Sequence, residues 1–175
     1  MVCDGLAGAP FPMAGDQRLE QEGPSREGTD QRADLSLSCC LNGRLSSLPA
    51  VLQALDRLLI RAGADDEVRG EVRLMAEEAL VNIVSYAFDN DAPNTIHLHC
   101  VCTPGEVRLE LQDPGRPFNP LDVPPPDLMA PPEQREAGGL GIHLIRALAD
   151  SVVYDFRQGS NVLTLIRRFA CRAAA

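Results

Sequence analysis

Between Asp34 and Phe169 the apolar positions change period several times, and each change marks an element. Leu35-Ser36-Leu37-Ser38-Cys39 alternates apolar and polar residues, the period-two signature of a half-buried strand, here reaching Leu41. Asn42-Gly43 supplies a turn. Leu48, Val51, Leu52, Leu55, Leu58 and Leu59 then recur at helical spacing, with Ser46 or Ser47 as candidate cap and Gly63 where a helix should end. Asp65 or Asp66 can start a second helix, expected to run to about Phe88. Its apolar stripe is Val72, Met75, Ala76, Ala79, Leu80, Ile83 and Tyr86.

Two strands are expected next, near Thr95–Thr103 and Glu106–Gln112, turning at Pro104-Gly105. Residues 113–137 hold eight of the fourteen prolines. A stretch of this length without regular structure is uncommon in a compact domain and usually serves function. A helix from about Gly141 to Ala149 follows, then strands near Ser151–Arg157 and Asn161–Arg168 joined at Gly159-Ser160. The order β-α-α-β-β-loop-α-β-β predicts an α/β sandwich (α+β), with helices on one face of a mainly antiparallel sheet. Residues 1–33 are rich in Gly, Pro, Gln and charge and are expected to form a disordered tail, with a short C-terminal tail at 171–175.

Composition narrows the chemistry. The chain has 175 residues, 45% hydrophobic and 23% charged, which suits one globular domain. All sixteen basic residues other than histidine are arginine. Without lysine, neither a G-x-x-x-x-G-K-[ST] phosphate loop nor Schiff-base chemistry is available. A net charge of −9 argues against direct nucleic-acid binding. No apolar run approaches the ~18 residues needed to span a bilayer, and the start of the chain lacks the basic segment of a secretory signal. A cytoplasmic protein with reduced thiols is therefore expected. The run His97-Leu98-His99-Cys100-Val101-Cys102 invites a metal reading, but on a strand the histidines and cysteines point to opposite faces. Buried thiols on one face of a strand are expected instead.

Three short patterns carry candidate chemistry. Glu78 and Asn82 lie four apart and share a helix face. A carboxamide oxygen is a hard neutral ligand suited to Mg²⁺, and a carboxylate beside it can deprotonate a hydroxyl; on a helix such pairs also occur simply as solvent-facing residues. Asp113-Pro114-Gly115-Arg116-Pro117-Phe118 follows a strand. It reads either as an ordinary turn or as an acceptor for a purine amine, with Gly115 letting the backbone approach the base. Gly138-Gly139-Leu140-Gly141 opens a helix, where free amides and the helix dipole favour an anion; a flexible hinge looks the same.

In this order and on these elements, the three patterns resemble those of the Bergerat-fold ATPases (the GHKL superfamily), and within them the bacterial anti-sigma factor serine kinases. Glu78-Ala-Leu-Val-Asn82 is similar to the family's N-box, Asp113-Pro-Gly-Arg-Pro-Phe118 to its D-x-G-x-x-F box, and Gly138-Gly-Leu-Gly141 to its second glycine box. The ending Gly159-Ser-Asn-Val-Leu-Thr-Leu-Ile-Arg-Arg168 is similar to its final strand. The likeness runs from about Asp34 to Phe169 and implies an ATP-binding kinase domain at 34–170. Tyr86 and Phe88 stand where many relatives have histidine and tyrosine, which touches the pocket wall and not the metal or base positions.

The resemblance implies that Glu78 is the general base, that Asn82 ligates Mg²⁺, and that Asp113 holds adenine with Gly115 and Phe118 beside it. Gly138, Gly139, Leu140 and Gly141 would contact the phosphates. Residues 119–137 would form the ATP lid, with Arg135 a candidate for the γ-phosphate or a solvated loop charge. It also implies a protein-serine kinase and anti-sigma factor that phosphorylates a STAS-type antagonist, binds a sigma factor or another switch target, and forms a homodimer. The alternative is a nucleotide-regulated binding module with weak or no catalysis. A two-component histidine kinase needs a phosphoacceptor on a helix ahead of its ATPase domain, whereas His97, His99 and His143 all lie inside it.

Overall fold

The computed structural model describes residues 34–88, 94–124 and 139–170. The expected tails at 1–33 and 171–175, and most of the expected lid, lie outside the described residues. Five strands form one sheet: β1 (Leu35–Leu41), β2 (Ile96–Thr103), β3 (Glu106–Asp113), β4 (Ser151–Arg157) and β5 (Ser160–Arg168). Their spatial order is β1-β2-β3-β5-β4 with every neighbouring pair antiparallel. Among the described residues three α-helices accompany it: α1 (Leu48–Arg61), α2 (Asp66–Tyr86) and α3 (Gly139–Leu148).

Register explains why the helices cover one face. The β2–β3 pairing sets Leu98 against Leu111 and Cys100 against Leu109, and β5 continues the rows with Leu163 and Leu165. These side chains are buried in one cluster with the stripes of α1 and α2. Burying each large aliphatic side chain contributes about 1.5–3 kcal/mol. On the other face Ser36, Ser38, His97, His99 and Arg108 are exposed. His99 bonds Ser38 at 2.8 Å and His97 contacts the Cys40 thiol at 3.4 Å, while Cys100 and Cys102 are buried. The histidines and Cys100/Cys102 thus part to opposite faces as the alternation predicts, and no group of three or more potential ligands that could hold a metal occurs among the described residues.

The helix ends follow local chemistry. Asp65 caps α2 by accepting from Val68 N–H at 2.9 Å. Gly63, at φ +77°, takes the left-handed turn that stops α1. Several expectations need correction. The Ser47 hydroxyl does not cap α1; it donates to Asn42 Oδ1 at 2.6 Å, because a short 3-10 turn at Leu45–Ser47 leads into the helix. α2 ends at Tyr86 rather than Phe88, and Tyr86 is 54% exposed rather than buried, since the stripe runs on past the residues that cover it. α3 starts at Gly139, two residues early. The last hairpin turns on Gln158 and Gly159, both at positive φ, one residue before the expected Gly159-Ser160. Among the described residues no helix is long and apolar enough to cross a membrane.

Candidate functional site

An open cleft lies between α2, α3 and the strands β3, β4 and β5. Ala79, Ile83 and Ile142 form its helical wall, and Leu163 and Tyr154 line it from the sheet. The aromatic rings of Tyr86 and Phe118, each 54% exposed, stand among its lining. Asp113, Asn161 and Asn82 supply the side-chain amides and carboxylate.

Asp113 ends β3 on the inward parity of Leu109 and Leu111, so the strand carries it into the interior, where it is 4% exposed. Its Oδ1 accepts from Gly115 N–H at 2.9 Å and from Asn161 Nδ2 at 3.0 Å. Burial pushes the carboxyl above the usual range, opposed by these two bonds. Gly115 is required by space: a Cβ there would lie 2.6 Å from Ala87 Cβ, the Ala87 carbonyl and Asp113 Oδ1. The turn is tied to the end of α2, with Arg116 N–H donating to the Ala87 carbonyl at 3.1 Å and Arg116 Nη2 to the Tyr86 carbonyl at 3.4 Å.

On α2, Asn82 lines the cleft, and its buried Nδ2 has no hydrogen-bond partner among the described residues. Buried amides are normally satisfied, so an orphan in a cleft marks bonding capacity left for something else. Such a carboxamide can turn its oxygen to a hard cation, and Glu78 stands one turn earlier. The residues therefore fit Mg²⁺. Glu78 itself does not line the cleft; its carboxylate lies against Gly141, where any Cβ would collide with it. Gly139 and Leu140 occupy the first turn of α3, with Leu140 53% exposed. Gly138 and Arg135 fall outside the described residues.

The first residues of the expected lid are described. Pro120–Asp122 form a 3-10 turn, and Arg146 of α3 donates to the Leu121 carbonyl at 2.7 Å and the Val123 carbonyl at 3.3 Å. Sequence reasoning missed Asn161 and Tyr154. Asn161 is 6% exposed and Tyr154 half-buried. The available signal was parity: Asn161 is the polar member of an inward series with Leu163 and Leu165.

A five-stranded antiparallel sheet with such a cleft framed by α2 and α3 defines an ATPase-like α+β class. Residues 41–167 match the family described as the histidine kinase-like ATPase domain. At 35% identity over 111 residues, the chain is similar to the serine/threonine-protein kinase BtrW of Bordetella bronchiseptica, over 63% of this chain and 78% of that protein. At 25% identity over 114 residues, it is similar to the serine-protein kinase RsbW of Listeria monocytogenes, over 63% of this chain and 73% of that one. Its fold resembles the crystal structure of the RsbU and RsbW domains of a Mycobacterium tuberculosis protein, with TM-score 0.54 and 18% identity, over 79% of this chain and 34% of that longer chain. The chain belongs to the histidine kinase-like ATPase domain family and groups there with the serine-protein kinases.

Proposed function

We propose that the chain is an ATP-dependent protein-serine kinase and anti-sigma factor of the cytoplasm, whose substrate is a STAS-type antagonist and whose second partner is a sigma factor. Support comes from the family and from one observation above all. Asn82 carries a buried amide nitrogen with no partner among the described residues, on the cleft wall and one helical turn from Glu78, whose carboxylate lies against Gly141 in the first turn of α3. Asp113 accepts the amine of adenine, and Gly115 keeps the turn clear of the base. Gly139 and Gly141 offer amides to the phosphates. Asn82 holds Mg²⁺, which when bound supplies charge neutralisation at the phosphate oxygens.

The chemistry asked of the chain is small, since phosphoryl transfer depends chiefly on positioning and electrostatics. Glu78 takes the proton from the serine hydroxyl as its oxygen bonds to the γ-phosphorus. The bond from that phosphorus to the bridging oxygen breaks, and ADP leaves. The new phosphate carries about −1.5 to −2 charges and disrupts the antagonist's docking, which frees the kinase to hold sigma.

The test is transfer of γ-labelled phosphate from Mg·ATP to STAS-domain proteins of the same organism, for wild type, Glu78→Ala and Asn82→Ala. Label on a partner serine, lost in both variants, is the expected result. If ATP binds, Asp113→Asn weakens that binding and no candidate is labelled, the chain is instead a nucleotide-regulated binding module.

A further inference from the structure

The chemistry proposed above leaves a pair of polar side chains unused: Asn161 on β5 and Tyr154 on β4. Asn161 faces Asp113 directly across the β3–β5 register, and Tyr154 lies on the same face, two residues from Asn161's partner Phe156. The Asn161 carboxamide is bonded at both ends. Its Oδ1 accepts from the Tyr154 hydroxyl at 2.7 Å and from Phe118 N–H at 3.1 Å. Its Nδ2 donates to Asp113 Oδ1 and the Arg116 carbonyl, each at 3.0 Å, and to the Gly115 carbonyl at 3.4 Å. Turned over, it would set its NH₂ against the Phe118 N–H and its oxygen against a carboxylate and two carbonyls. Bonding therefore dictates its orientation.

That orientation determines what Asp113 offers. Oδ1 already takes two N–H groups, and no hydrogen bond of Oδ2 occurs among the described residues. An ionised carboxylate with one open oxygen is an acceptor only. It pairs with an amino group on a purine and repels a ring carbonyl at the same place. Burial works against the ionised form, and the Asn161 N–H works for it. The Tyr154 hydroxyl is itself pushed up by burial, so it stays a protonated donor.

Resting on the nucleotide reading above, we infer that Tyr154 is a positioning residue for base selection: by locking Asn161, its hydroxyl keeps the Asp113 acceptor set for 6-amino purines over 6-oxo purines. ATP and inosine triphosphate differ at that 6-position, which makes them the probes. Their affinities are compared for the full chain as wild type, Tyr154→Phe, Asn161→Ala and the double variant. Tyr154→Phe is expected to weaken ATP about two- to tenfold and inosine triphosphate less, so that the ratio narrows. In the Asn161→Ala background the same change should add nothing, the signature of two residues acting as one unit. Equal weakening of both nucleotides, or additive losses in the double variant, would overturn the inference. Should Asn161→Ala not fold, the ratio for Tyr154→Phe decides alone. A wild type that binds neither nucleotide overturns the underlying nucleotide reading instead.

Discussion

The two ends of the cleft are built on opposite terms. At the sheet end, Asp113, Asn161, Tyr154 and the turn at 115–118 are tied into one network of hydrogen bonds, with Asp113 Oδ2 left open among the described residues. At the helix end, Asn82 keeps a buried amide nitrogen with no partner among the described residues, and Glu78, one turn earlier and outside the lining, rests against a glycine. A satisfied network holds one shape and costs little to keep. An unpartnered buried polar group costs about 1–3 kcal/mol until something bonds it. The difference teaches that the sheet end is pre-organised, whereas the helix end keeps bonding capacity that a ligand would complete.

The strongest way to break this contrast is Glu78→Gln. Phosphotransfer should fall by about 10²–10⁴-fold, the usual contribution of a positioned general base, with ATP affinity within about threefold of wild type. A matching fall in affinity, measured by titration calorimetry, would move Glu78 from chemistry to binding. Next comes a stability comparison by chemical denaturation of the apo protein. Asn161→Ala strands the Phe118 amide and the Tyr154 hydroxyl and should lose about 3 kcal/mol. Asn82→Leu removes an amide nitrogen with no partner among the described residues, so stability should hold or rise by about 1 kcal/mol while Mg²⁺-dependent ATP binding disappears. Equal losses at both positions would erase the contrast.

Gly115→Ala sharpens it further. The new methyl meets Ala87 on two sides and Asp113 on a third, all at 2.6 Å, so about 1–3 kcal/mol of stability should be lost, together with ATP affinity. Asp113→Asn should have the smallest effect on stability. Burial raises the Asp113 carboxyl, so the folded chain holds that proton more tightly than the unfolded chain. Stability from this group therefore falls as pH rises through the interval above the ordinary value of 3.8. The apo Asp113→Asn variant should melt at or above wild type at pH 7 and with it at acid pH, yet bind ATP far more weakly. A variant less stable than wild type at neutral pH would show that the carboxylate is held for the fold and not for a ligand.

Periodicity alone located both long helices and all five strands to within a few residues, because a 3.6-residue stripe or a period-two alternation is a property of neighbours along the chain. Asp65 and Gly63 likewise announced the ends they form, since capping is decided within four residues. Glu78, Asn82, Asp113 and the glycines were legible as candidates through spacing and resemblance. Tyr86 was not: its apolar character extends the stripe, but which part of a stripe is covered depends on how far the opposing layer reaches. The Ser47 hydroxyl also went elsewhere, to an Asn42 acceptor that a local rule does not weigh.

By itself, then, the sequence determined which faces are apolar, where the elements begin and end, and which residue types gather at the three motif positions, all consequences of short-range spacing. Tertiary structure alone decided that Asp113 would be gripped by Asn161, 48 positions away. The sheet order β3-β5-β4 brings Asp113, Asn161 and Tyr154 onto adjacent strands, and no pattern within any one strand encodes its neighbour. It also decided that the Asn82 amide nitrogen would have no partner among the described residues while the Asn161 side chain would have five. The two asparagines are chemically identical, and only the surroundings that long-range packing builds around each amide distinguish them.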